Sequence, residues 1–182
     1  SVPMPELIAQ AEYLADTGVK ELIVVAQETT LYGTDIYGHN ALPELLNNIS
    51  KVEGIEWIRL LYAYPEDITD IMASNPKICH YIDMPIQHAS ENILRRMGRK
   101  TNQKELEEKI NMIRSRIPDI AIRTTLITGF PGETDEDHRI LMDFVKRMRF
   151  DRLGVFPYSP EENTPAAEFP NQIPDDIKQT RL

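Results

Sequence analysis

The sequence predicts an α/β protein with a parallel sheet covered by helices, and three observations point there. Strand-sized apolar segments alternate with helix-length amphipathic ones along the 182 residues, and parallel crossovers need a helix-length return. Polar residues collect just after each strand, as on the active face of a βα-barrel. No Gly-x-Gly-x-x-Gly run follows any strand, which removes the main support for an open dinucleotide-binding sheet.

Met4 to Thr17 reads as a helix, with Leu7, Ala11, Leu14 and Ala15 on one face and Gly18 as its stop. Glu21 to Ala26 is almost continuously apolar and is expected to be a buried strand. Leu42 to Val52 is the next helix, and Glu56 to Leu61 the next strand. A short helix follows Pro65, and Ile78 to Met84 is a third strand. Glu91 to Met97 and Lys104 to Arg116 are helical. Ile120 to Ile127 is a fourth strand, interrupted by Arg123. Glu136 to Met148 is a helix with Ile140, Leu141, Phe144 and Val145 inward, and Arg152 to Pro157 is a fifth strand. A polar, proline-bearing segment then leads to a helix starting near Pro174.

Two expectations concern the chain path. A helix at Met4 with no strand before it leaves an open edge beside the Glu21 strand. The helix of about Ile68 to Asn75 would be roughly 12 Å long, at about 1.5 Å per residue. It is shorter than its neighbours, so an interruption of the chain is expected between Thr69 and Ile71, a true deletion being the alternative.

Hydrophobic residues make up 41%, enough for a core. The longest apolar runs fall far short of the roughly 20 residues of a membrane span, and no charged-then-apolar leader opens the chain, so a cytoplasmic protein is expected. A single cysteine, Cys79, excludes an internal disulfide and a multi-cysteine metal site. The net charge of −9 argues against a bare nucleic-acid-binding surface, where phosphate contacts dominate affinity. It suits a basic partner, though acidic charge is more often plain solvation.

The clusters after the strands hold the candidate chemistry. Gln27 and Glu28 follow the first, where Glu28 suits an ammonium group and Gln27 offers amide hydrogen bonds; a solvated loop start explains them equally. Tyr62, Tyr64 and Glu66 follow the second strand, and Gln87, His88 and Ser90 the third. A lone histidine such as His88 is more often packed than ligating. Arg123 within its strand needs an anion. Gly129-Phe130-Pro131-Gly132-Glu133-Thr134 follows the fourth strand. It reads as a tight turn feeding a capped helix, or as a backbone loop that a planar ligand can approach closely. Tyr158, Ser159, Glu161 and Glu162 follow the fifth. His39, His80 and His138 stand in unrelated contexts, so no metal site is expected among them.

Taken jointly, six stretches resemble the methylthiotransferase branch of the radical S-adenosylmethionine enzymes. They run from Val25 to Gly33, Asp83 to Ser90, Arg96 to Arg99, Arg123 to Thr134 and Phe150 to Phe156, with Tyr158 to Glu162 completing the set. Within that branch, one group modifies an adenosine of transfer RNA (MiaB type) and another an aspartate of a small-subunit ribosomal protein (RimO type). Gln87-His88, Arg123-Thr124-Thr125, Gly154-Val155-Phe156 and Glu161-Glu162 are more similar to the ribosomal-protein group.

The resemblance implies a partial (βα)6 TIM-like barrel of the radical SAM type over 1–160, with the first strand and cluster loop missing. A C-terminal extension, 161–182, leads toward an absent TRAM-type domain. It implies S-adenosylmethionine and [4Fe-4S] clusters as cofactors, the ligating cysteines lying outside this chain, so that no catalytic or metal-binding residue is expected here. Cofactor-binding positions carried over are Gln27, Glu28, Gln87, His88, Arg123, Gly129, Pro131, Gly132 and Glu133. The implied partners are a small-subunit ribosomal protein and an electron donor, with no membrane and no direct nucleic-acid binding. Asn163 stands where the family commonly has glycine. A cluster-free βα-barrel lyase using Glu28, His88 and Glu133 is the competing enzyme class, weakened because no lysine sits at a strand end to form a Schiff base; a non-catalytic scaffold is the third reading.

Overall fold

A computed structural model describes residues 1–26, 29–61 and 65–182, apart from the side chains of 65–67. They form two compact units, Ser1–Met84 with Ile113–Ala121, and Pro85–Met112 with Ile122–Leu182.

The first unit contains α1 (Met4–Asp16), β1 (Glu21–Val24), α2 (Thr34–Tyr37), α3 (Leu42–Ile49), β2 (Trp57–Leu60), α4 (Pro65–Ser74) and β3 (Tyr81–Asp83). β1 and β2 pair in parallel, from Glu21 opposite Trp57 to Val24 opposite Leu60, and Ile78 bridges Ile58 in the same sense. Leu42, Leu45, Leu46 and Ile49 of α3 are buried, as are Ile58 and Leu60 of β2 and Ile68 and Met72 of α4.

Burial is one-sided, and this corrects the expectation for the first strand. Ile58 and Leu60 are inaccessible, whereas Ile23, on the other face, is 56% exposed, and no residue of β1 is buried. An open doubly wound sheet has helices on both faces, whereas a barrel wall has them on one. Among the described residues β1 has a strand only on its β2 side, in line with the open edge. The expected break between Thr69 and Ile71 is also corrected. α4 starts at Pro65 and runs unbroken through those residues, with the Ser74 hydroxyl donating to the Asp70 carbonyl at 2.8 Å.

The second unit contains α5 (Glu91–Arg96), the body of α6 (Gln103–Arg116), β4 (Ala121–Thr128), α7 (Asp135–Met148), β5 (Arg152–Pro157) and α8 (Asp175–Thr180). β4 and β5 pair in parallel, from Arg123 opposite Arg152 to Thr128 opposite Pro157. β4 alternates: Ile122, Thr124, Leu126 and Thr128 are buried, while Arg123, Thr125 and Ile127 are half-buried. Arg123 therefore lies on the more open face. Asn163 takes a φ of 64°, the left-handed conformation a glycine would supply and asparagine tolerates.

α7 is pinned at its start. The Thr134 hydroxyl donates to Asp137 Oδ2 at 2.7 Å and accepts from the Asp137 N–H at 3.1 Å, while Asp137 Oδ2 accepts from the Thr134 N–H at 2.9 Å. Asp137 Oδ1 also accepts from the Ser90 hydroxyl at 2.5 Å. Burial raises the Asp137 pKa, but the hydrogen bonds from Ser90, Thr134 and Asn92 outweigh it and leave the carboxyl below its usual value. Thr134→Ala removes both hydroxyl bonds of this capping box and should cost about 1 to 2 kcal/mol. A shift of the urea midpoint at constant slope would report it, and a midpoint matching the parent's would show the cap to be dispensable.

Candidate functional site

The polar cluster after β3 is built on a strained backbone. Gln87 has a φ of 69°, and the His88 N–H donates to the Ile86 carbonyl at 2.9 Å. An i to i+2 bond across a residue of positive φ is a γ-turn of the rare, strained kind. The turn is held in place from β4: the Gln87 N–H donates to the Thr125 carbonyl at 3.0 Å, and the Ile127 N–H donates to the Gln87 carbonyl at 2.8 Å. The Gln87 Oε1 is buried without a hydrogen-bond partner, and so is Thr128 Oγ1. A strained residue with an unsatisfied buried amide oxygen is where a polar ligand group would complete the structure.

The turn after β4 is defined by Pro131 and Gly132. The Glu133 N–H donates to the Phe130 carbonyl at 2.9 Å, with Pro131 second and Gly132 third at a φ of 84°. That is a type II β-turn, whose third position favours glycine. Glu133 then turns inward. Its side chain is fully buried and accepts from the Gly129 N–H at 2.9 Å and from Arg181 Nη1 at 2.9 Å. His88 Nε2 lies 3.4 Å from Glu133 Oε2, and His138 Nδ1 lies 3.8 Å from Oε1. His88 Nδ1 accepts from the Ser90 N–H at 2.9 Å, so a neutral His88 carries its proton on Nε2, facing Glu133. His138 is pushed below its usual pKa by burial first, with Glu133 pulling the other way.

The more open face of β4 gathers a different set. Thr125 is paired with Gly154 of β5. A Cβ on Gly154 would lie 3.4 Å from the Phe156 ring, 3.7 Å from Arg123 Nη2 and 3.8 Å from Thr125 Oγ1. A guanidinium, a hydroxyl and an exposed aromatic ring thus converge around a bare backbone position. That donor set suits an anionic group beside a planar one.

Set against the sequence-predicted positions, the structure divides them. Gln27 and Glu28 lie outside the described residues, as do Tyr62 and Tyr64. Gln87 and Arg123 retain access. His88, Gly129, Pro131 and Glu133 are buried within the unit. A Cβ on Gly129 would lie 2.5 Å from Lys178 Cγ, and one on Gly132 would lie 2.8 Å from Arg96 Cζ. The close approach these glycines permit is therefore by protein side chains. His138, expected to be unrelated, belongs to the Glu133 cluster. Arg181, Lys178 and Phe156 were not among the expected site residues; only the Gly154-Val155-Phe156 stretch carried a signal.

Among the described residues no three His, Cys, Asp or Glu side chains are grouped to hold a metal ion. Burial raises the Cys79 thiol above its usual value, with Arg59 pulling it down, which disfavours the thiolate a metal needs. Gln87, Arg123 and Thr125 carry polar groups of the kind S-adenosylmethionine needs, and among the described residues no thiolate set suits an iron–sulfur cluster.

The chain belongs to the radical SAM superfamily, which matches residues 1–145. It is 58% identical to the ribosomal protein uS12 methylthiotransferase RimO of Lachnoclostridium phytofermentans over 185 aligned residues, covering 100% of this chain and 42% of that protein. The RimO of Clostridioides difficile is 52% identical, over 97% of this chain and 40% of its own length. The chain thus spans about two fifths of these curated relatives. Among solved structures, coproporphyrinogen III oxidase (HemN) of Escherichia coli, a radical SAM enzyme, superposes with a TM-score of 0.66 at 17% identity, over 98% of this chain and 43% of that one. The methyltransferase TsrM of Kitasatospora setae, solved with cobalamin and a [4Fe-4S] cluster, gives a TM-score of 0.65 at 18% identity, over 91% and 33%. The parallel α/β fold is therefore that of the radical SAM partial barrel.

Proposed function

We propose that this chain is the cofactor-binding core of an enzyme that methylthiolates an aspartate of the small-subunit ribosomal protein uS12. The observation that carries this reading is the 58% identity to a RimO protein along the whole chain. It is supported by the strained Gln87 and the Arg123, Thr125 and Phe156 face, both on the unit that carries the turn after β4.

In this reading Gln27 and Glu28 meet the cofactor's amino end, and Arg123 its carboxylate. Gln87 offers its unsatisfied amide oxygen, and the backbone of Gly129, Pro131 and Gly132 borders the adenine. His88 and Glu133 act one step back, by holding that turn. S-adenosylmethionine bound there supplies the radical and the methyl group. [4Fe-4S] clusters belong to the complete enzyme through cysteines outside this chain, and an electron donor serves them. The net charge of −9 suits a protein partner better than a phosphate backbone. Among the described residues no helix is long and apolar enough to cross a membrane, and the proposed location is the cytoplasm.

Mass spectrometry of ribosomal proteins and of transfer RNA from a deletion strain tests the proposal. Loss of the methylthio mass on uS12, restored by the complete gene, is expected. Intact uS12 with loss confined to transfer RNA would overturn it.

A further inference from the structure

The C-terminal segment grips the turn after β4 at three points. The Gly132 N–H donates to the Asn171 carbonyl at 2.9 Å. Lys178, only 6% exposed, fills the space beside Gly129 and sets its ammonium 5.7 Å from the Tyr158 ring centre. That ring stacks edge-on against Phe130 of the turn at 5.1 Å. Arg181 Nη1 reaches the Glu133 carboxylate at 2.9 Å and the Glu133 carbonyl at 3.2 Å, while Nη2 reaches Asp135 at 2.6 Å. One guanidinium thus ties the side chain and backbone of the turn's last residue to the first turn of α7.

Burying two cations is a costly way to obtain stability alone, since well-packed apolar residues often do as well. What a planar fork adds is fixed geometry. The same Glu133 carboxylate also fixes Gly129 and faces His88, which directly follows the strained Gln87. Arg181 is thereby connected to both ends of the candidate cofactor site through one buried group.

We propose that Arg181, with Lys178, is a positioning residue for S-adenosylmethionine. The two act through Glu133 and the Gly129–Glu133 turn rather than by touching the cofactor. The inference rests on the functional reading above, and the test separates the two.

In the complete enzyme with clusters reconstituted, S-adenosylmethionine binding is measured by calorimetry, and amide hydrogen exchange is followed across the turn. Arg181→Ala should bind about tenfold more weakly, within the usual range for coupling between sites, with faster exchange at Gly129 and Gly132. Arg181→Lys keeps a charge but loses the fork, so it should bind more tightly than Arg181→Ala and more weakly than the parent. Arg139→Ala, which breaks only an exposed pair with Glu136, should match the parent. A folded Arg181→Ala with parental affinity overturns the proposal. Should that variant fail to fold, Arg181→Lys decides: parental affinity and exchange overturn it, and intermediate affinity with faster turn exchange supports it. A parent enzyme that does not bind S-adenosylmethionine overturns the functional reading itself, and the positioning role with it.

Discussion

Glu133→Ala is expected to lower the free energy of unfolding by about 3 kcal/mol, the lower end of the cost of removing one partner from a buried ion pair. The lower end applies because Arg181 keeps its bond to Asp135 at 2.6 Å and to the Glu133 carbonyl at 3.2 Å. The buried Gly129 N–H loses its acceptor, and His88 Nε2, which lies 3.4 Å from the carboxylate without a hydrogen bond, loses its facing charge. Each buried donor left without a partner costs about 1 to 3 kcal/mol. Glu133→Gln preserves shape and one acceptor oxygen but turns an amino group toward donors, so its loss should be about 2 kcal/mol. Urea unfolding of the complete protein, read as midpoint shifts at constant slope, orders the variants. If alanine and glutamine are equally mild, the carboxylate is not the keystone of the turn.

The sequence made the elements readable and hid this hub, for one physical reason. Strands and helices are announced by local periodicity: among the described residues the first three strands are trimmed versions of the predicted runs, the fourth is shifted by one residue and the fifth coincides with its prediction. The type II turn is local too, written in Pro131-Gly132. Glu133, by contrast, meets Arg181 across 48 positions of sequence. A charged residue in a short polar helix defaults to a solvated reading, so nothing marked Arg181 or Lys178 as buried. His138 fits an exposed helix face until Glu133 folds back beneath it.

Similar limits explain two other differences. The run from Leu22 to Ala26 reads as a strand covered on both faces, because periodicity cannot tell a buried face from a barrel's open one. Arg123 looked like an interruption of an apolar strand, but β4 alternates, and threonine on both faces blurred the pattern. The four-residue α2 is too short to show a period at all. Gln27 and Glu28, the residues that the family resemblance marks for the cofactor's amino end, lie outside the described residues, so this part of the site stands on motif alone.

Gly129→Ala should be about as damaging as the loss of Glu133, at roughly 2 to 5 kcal/mol, from two terms that can be separated. The first is backbone strain: Gly129 has a φ of 69°, where a residue with a Cβ loses about 1 to 2 kcal/mol. The second is overpacking, typically about 1 to 3 kcal/mol in a filled core. A Cβ would lie 2.5 Å from Lys178 Cγ, 3.3 Å from its Cβ and 3.4 Å from its Cδ. These atoms are close to the α8 backbone, and the ammonium is held by Asp175 at 3.0 Å, so the side chain cannot simply swing away. Gly18 supplies the control, with a φ of 93° and nothing within 4 Å of its missing Cβ. Gly18→Ala should show the strain term alone, and the difference between the two variants isolates the clash. Pairing Gly129→Ala with Lys178→Ala should then recover much of that difference, a coupling expected only between residues in contact. If Gly129→Ala unfolds at the same urea midpoint as Gly18→Ala, Lys178 does not pack against the turn as described.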